Sequence, residues 1–398
     1  MNKKIFTILQ NRNARKLLSA NFTSEIGNGV RSVAIPFYVF TNTNSYIMMA
    51  LNAIIMMIPS VILSPYAGIF ADKYNRKKIM VISDSFRFAL VSFILIFNKN
   101  TYAIFAFSFF MSIGSVFFSP SSEAIIPQVV EGDQLENCNS MFSLLDNIAS
   151  LIGPVLGGVL AFKVAIIFDS LTFLISGIVT WFIKYKSNTI DSNLEEHKLK
   201  SSFREVFNVI NKNNNLRIVV TMVCVLSFAF GMIPIIMPGY ITEVLNLPEK
   251  YYGITLSLMT AGGILGAFIV PNLSKRIHIT RLFIYSYFIY GLMYILLVVF
   301  RKYYIVALLF AFQGVTMPIM GISSLTIEQK TVDNKIMGQF FGLIQSIQAV
   351  IVIAAKIISG ILANKYSPLL IFILAFILMM LGALCGTFRK FNKNKFTT

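Results

Sequence analysis

Charge is scarce in this chain: only 13% of its 398 residues are Asp, Glu, Lys or Arg, while 56% are hydrophobic and the mean hydropathy is +0.73. Soluble domains carry roughly a quarter of their residues as charges, so an aqueous globular fold is excluded and the bilayer is the expected solvent. Cysteine is nearly missing. Cys138, Cys224 and Cys385 stand far apart with no paired spacing, which supports neither a disulfide nor a thiolate metal site. The only histidines, His197 and His278, fall in polar connections and build no ligand cluster. No GxxxxGK[ST] loop occurs, so a P-loop ATP-hydrolysing domain is excluded. We expect no cofactor, no metal and no enzymatic reaction.

What the chain has instead is apolar length. A spanning helix needs about 20 mostly apolar residues, and such runs occur at 16–40, 46–71, 78–98, 101–126, 138–162, 164–185, 216–243, 251–273, 280–300, 303–327, 337–363 and 367–388. The expected fold is an all-α membrane protein of twelve transmembrane helices, because backbone polar groups in lipid must be satisfied within each span. These runs are too long and too uniformly apolar for barrel strands.

Lysine and arginine set the orientation. With both termini inside, the inner segments hold about 25 of them and the outer loops about 6, a strong positive-inside bias. Both termini are therefore expected in the cytoplasm and the protein in the plasma membrane. The N-terminal MNKKIFTILQ stretch has no cleavage site, and no cleaved signal peptide is expected. The net charge of +17 thus reports topology and an attraction to anionic membrane lipid. No basic stripe is interleaved with aromatics, so nucleic acid is not an expected partner.

Two halves are expected. The polar segment 186–215 is the only long interruption, leaving a six-helix half at 1–185 and a second half with a short basic tail at 216–398. Within this linker Phe203, Val206, Phe207 and Ile210 have helical spacing, which predicts an amphipathic helix. A trace of repetition survives. Residues 138–161 lie on 340–363 without gaps, bringing Gly158 onto Gly360, Leu160 onto Leu362, Ala161 onto Ala363 and Pro154 onto Lys356.

Between spans two and three runs GIFADKYNRKK, and its Gly68, Asp72, Lys73, Arg76 and Lys77 resemble the loop at the same place in the major facilitator superfamily of secondary transporters. The resemblance implies that fold, transport by alternating access and a conformational latch. Asp72 would favour the amide end of a neighbouring helix, with the start of span eleven near Gly338 as the family candidate, while Arg76 and Lys77 hold or release the arrangement. The plainer alternative is that these cations only anchor topology.

Span five carries GPVLGG: Gly153, Pro154, Gly157 and Gly158. Glycines at these intervals let another helix approach closely, and proline weakens the local backbone ladder. The run resembles the signature of drug:proton antiporters, which implies export; simple small-residue packing is the alternative. The stretch 117–158 and NRNARKLLSANFTSEIGNGV are similar to the macrolide-efflux and siderophore-exporter branch. Where that branch often has an acidic residue in span one, this chain has Asn28.

Ionisable residues inside a membrane are functional candidates. Glu25, Asp84 and Asp146 all fall about 10–14 Å from the inner end at 1.5 Å per residue, where a carboxylate can take up or lose a proton as access alternates. Asp84 has Arg87 one turn on, a spacing that suits an ion pair. Arg31 and Lys356 lie nearer the outer side and are candidates for substrate binding or charge pairing, with snorkelling as the plainer role for Lys356. Asp169 and Glu243 near outer ends, and Glu123 and Glu328 near inner ends, are expected as interfacial or capping groups.

The resulting expectation is a monomeric, proton-coupled exporter of hydrophobic or amphipathic small molecules of the macrolide-like kind. The alternatives are export of a siderophore, peptide or lysophospholipid, or a sensor or immunity protein that does not transport.

Overall fold

The computed structural model describes residues 7–97, 100–130, 134–184, 207, 209–332 and 337–388. Among them there is no strand, and twelve long helices follow in order: α1 (Arg12–Thr43), α2 (Tyr46–Lys73), α3 (Arg76–Phe97), α4 (Thr101–Ala124), α5 (Leu135–Val159), α6 (Phe162–Trp181), α7 (Asn214–Gly239), α8 (Lys250–Arg276), α9 (Ile279–Val299), α10 (Tyr303–Thr331), α11 (Met337–Lys365) and α12 (Pro368–Phe388). Ten are long and apolar enough to cross a bilayer, and α12 adds the apolar stretch Pro368–Leu384. α1 fails that test on composition because Glu25, Asn28 and Arg31 interrupt it.

Local chemistry sets several boundaries. Asn11, Asn100 and Asn213 cap α1, α4 and α7 by accepting backbone N–H bonds through their side chains. Asn44 ends α1 in the left-handed region at φ 47°, a conformation asparagine tolerates. Pro234 and Pro238 lie inside α7, and its last turn widens into a π-turn at Tyr240–Val244.

The chain forms two compact units. One contains α1, α2 from Leu51, α3 to α6, and the opening of α8 at Glu249–Ser257; the other contains Ser45–Ala50, α7, α8 from Leu258, and α9 to α12. In the first, α1 packs on α5 and α6, and α3 packs on α4 and α6. In the second the pattern recurs, with α7 on α11 and α12, and α9 on α10 and α12.

The recurrence reaches single residues. In the first unit Gly29 of α1 meets Gly153 of α5 so closely that a Cβ on Gly153 would stand 2.7 Å from the Gly29 Cα. The shift that takes Gly158 to Gly360 also takes Gly29 to Gly231 and Gly153 to Ala355, and these two touch within the second unit. Gly158 packs on the backbone of Lys250, and Gly360 on that of Tyr46 and Ile47.

The linker expectation is partly within reach. Phe203 and Val206 lie outside the described residues, Phe207 is exposed, and Ile210 is buried with Leu216, Val332 and Phe340.

Candidate functional site

One face of α1 presents Asn21, Glu25, Asn28 and Arg31 at helical intervals of three and four, so their side chains stack along the helix. Asn28 Nδ2 donates to Glu25 Oε1 at 3.0 Å, and its Oδ1 accepts from Arg31 Nη2 at 2.6 Å. Arg31 Nη1 then donates to Asp169 Oδ2 of α6 at 2.7 Å. Toward the start of α1, Asn21 Nδ2 donates to Asp146 Oδ1 of α5 at 2.7 Å.

Asp169 corrects the sequence expectation of an interfacial acid. α6 begins at Phe162, so Asp169 is two turns inside the helix, fully buried, and holds Arg31. The partner stands 138 positions away, and sequence spacing gives no sign of the pair.

A second closed pair lies beside the first. Arg87 donates to one oxygen of Asp84, whose other oxygen accepts from Ser176 Oγ at 2.7 Å. The Arg87 guanidinium lies over the rings of Phe118 and Phe173, with its carbon 4.4 and 4.3 Å from their centroids. Gly114 makes room for it, since a Cβ there would come within 2.9 Å of Arg87 Cγ. Burying a charge is tolerable only when it is paired and bonded in this way.

The two aspartates bonded to arginine differ from the other acids. Glu25 and Asp146 are only partly buried and are held by the amides of Asn28 and Asn21. They are the carboxylates of this cluster that no arginine neutralises by direct contact.

The GPVLGG residues gather where three helices meet in this unit. A Cβ on Gly157 would overlap the Val30 carbonyl oxygen of α1, and one on Gly253 of α8 would overlap the Pro154 carbonyl oxygen. Ser257 of α8 donates to the Leu151 carbonyl at 2.5 Å. Close backbone approach is thus what this motif provides.

In the charged loop, Arg76 Nε donates to the Ala71 carbonyl at 3.0 Å and Nη1 to the Ala124 carbonyl at 2.7 Å, tying the last turns of α2 and α4 together. Such bonds satisfy carbonyls that a helix C-terminus leaves open. Lys73 and Lys77 place their ammonium groups over Tyr74 and Trp181. Gly68 has nothing within 4 Å of a would-be Cβ. The side chain of Asp72 and the surroundings of Gly338 lie outside the described residues.

In the second unit Lys356 sits about two thirds of the way along α11, partly buried, one turn before Gly360. Glu243, exposed in the π-turn that ends α7, accepts from the Tyr46 hydroxyl at 2.6 Å. Glu328, also expected at the interface, is buried with 6% exposure. Among the described residues no group of three His, Cys, Asp or Glu side chains could hold a metal.

The family model described as Major Facilitator Superfamily matches residues 17–355. The chain belongs to this superfamily. Among its relatives are macrolide efflux protein A of Streptococcus pyogenes, 22% identical over 356 residues covering 86% of this chain and 87% of that protein, and the staphyloferrin A transporter of Staphylococcus aureus strain NCTC 8325, 20% identical over 286 residues covering 69% and 70%. The fold is similar to that of a point mutant of the nucleoside transporter NupG, with a TM-score of 0.81, 13% identity and 94% of this chain and 99% of that chain covered. It is similar as well to a bacterial homologue of the iron transporter ferroportin, with a TM-score of 0.77, 14% identity and 95% and 98% covered. The superfamily consists of transporters, and this chain is a multi-pass membrane protein of that kind.

Proposed function

We propose that the protein is a proton-coupled exporter of hydrophobic or amphipathic small molecules, macrolide-like compounds among them, working by alternating access of its two halves with both termini on the cytoplasmic side of the plasma membrane. The observation that carries this reading is the division among its membrane carboxylates. Asp84 and Asp169 are each neutralised by an arginine, whereas Glu25 and Asp146 are held by amides that bond a carboxylate or a carboxylic acid alike. A group able to exist in both protonation states is what coupling requires. One charge crossing 100 mV contributes about 2.3 kcal/mol, enough to drive uphill export of a neutral compound.

Likeness to a macrolide efflux protein supports the substrate class. A second reading, export of an anionic siderophore, draws on the relative named as a staphyloferrin A transporter and on Lys356, an ammonium inside α11 with no carboxylate bonded to it among the described residues.

The test is energised efflux of a macrolide and of a fluorescent cationic dye from cells expressing the chain, with and without a protonophore. Efflux that collapses with the protonophore is the expected result. Efflux that persists once the proton gradient is gone would overturn the coupling, and export of siderophore with no export of macrolide or dye would replace the substrate class.

A further inference from the structure

A cavity of about 320 Å³ opens on the outside of the first unit between α3 and α6. Val81, Ser85 and Phe88 form one wall; Leu174, Gly177, Ile178 and Trp181 form the other; Phe173 lies at its floor. The rim is open. Leu174, Ile178, Trp181 and Phe182 are 37%, 50%, 62% and 61% exposed, and Ile82, Phe86, Leu171 and Ile175 continue the same exposed apolar surface. In a spanning helix pair such a surface meets acyl chains. From the level of Lys77, above the groove, to that of Phe88 within it is about 16.5 Å at 1.5 Å per residue, the scale of half a bilayer core.

Its mouth is basic. The Lys77 ammonium lies 5.7 Å from the centroid of Trp181, and Lys16 Nζ donates to the Phe182 carbonyl at 2.7 Å. The Lys16 ammonium carries three N–H donors, more than this one bond uses. Lys78 and Lys184 are exposed beside them. Neutralising the last carbonyls of α6 would need one cation there; it would not call for an apolar slot running inward from the same point.

We infer that this groove is a binding site for an anionic phospholipid, with an acyl chain between α3 and α6 and the phosphate at Lys77 and Lys16. The charge argument selects the occupant: basic pockets between spanning helices take acidic head groups, and the indole of Trp181 sits at the level where head group and chain meet. The site lies in the leaflet that bears the start of α3, the inner one in the orientation proposed above. Site and export are separate claims, since the groove lies outside the cluster around Glu25.

Trp181 is the sole tryptophan of the chain, so its fluorescence reports on this groove without any labelling. The experiment reconstitutes the full-length protein in vesicles of phosphatidylcholine and phosphatidylglycerol and brominates, in turn, a minor fraction of one lipid or the other near the head-group end of its chains. Brominated phosphatidylglycerol is expected to quench Trp181 several-fold more than brominated phosphatidylcholine at equal mole fraction. Lys77→Gln should reduce the preference about fivefold, and Ser85→Phe, which fills the slot from an exposed position, should lower quenching by both lipids. Emission wavelength and size-exclusion behaviour check that each variant is folded. Equal quenching by the two lipids, or a preference that survives substitution of both Lys16 and Lys77, would overturn the inference. Displacement of either brominated lipid by a macrolide with no charge preference would assign the groove to an apolar solute and overturn it too.

Discussion

Arg31 of α1 and Asp169 of α6 are bonded at 2.7 Å with both side chains shut away from the surface of their unit. Removing one member of such a pair leaves a charge in low dielectric, at a cost of about 3–5 kcal/mol. Asp169→Asn should therefore lower the melting temperature in detergent markedly. The double variant Arg31→Met, Asp169→Leu should recover much of the loss. If the double variant melts no higher than the single one, the pair is not the origin of the effect.

Glu25→Gln should abolish uphill export while leaving expression and melting temperature close to those of the parent, since Asn28 can bond a glutamine amide in place of the carboxylate. Asp146→Asn should act in the same direction through Asn21. Unchanged export against a gradient by both variants would sink the assignment of these carboxylates to coupling.

Gly157→Ala would drive a methyl into the Val30 carbonyl oxygen. Backbone cannot retreat as a flexible side chain can, so α1 and α5 must separate, with an expected loss of about 1–3 kcal/mol. Gly68→Ala is the contrasting case, because nothing lies within 4 Å of the added carbon. Replacing a helical glycine that has room for the methyl should raise stability by up to about 1 kcal/mol. Thermal unfolding of the two variants side by side checks both signs.

Arg76→Lys keeps the charge but loses the planar fork that reaches Ala71 and Ala124 together. One bond at most survives, and a loss of about 2 kcal/mol is expected. If Arg76 serves only to fix orientation, lysine should be neutral in a melting assay.

The parts of this structure that were legible in the sequence share one property: their partners lie within a turn or two on the same helix, or are bare backbone. The Asp84–Arg87 pair is visible as a spacing of three, and the GPVLGG run announces close approach because glycine leaves only backbone to touch. The bond from Arg31 to Asp169 joins helices that the linear order separates, so no periodicity encodes it and Asp169 reads as an interfacial acid. Asn28 stood out only as a departure from the related branch. Its role as the bridge between Glu25 and Arg31 emerges only in three dimensions, because an amide can bond to almost any polar neighbour. Arg76 reads as a latch or anchor, and the carbonyls it satisfies belong to helix ends whose convergence is tertiary.

The repeated joint between α1 and α5, and between α7 and α11, is not bonded at the same places. Where the first unit sets bare Gly157 against the Val30 carbonyl, the same shift in the second unit gives Ser359, whose hydroxyl donates to the Met232 carbonyl at 2.8 Å. At the glycine contact itself no directional bond resists a slip. The serine joint resists that slip until its bond breaks. The bond that does join α1 to α5 runs instead from Asn21 to Asp146, so a slip of this joint is felt at one of the amide-held carboxylates.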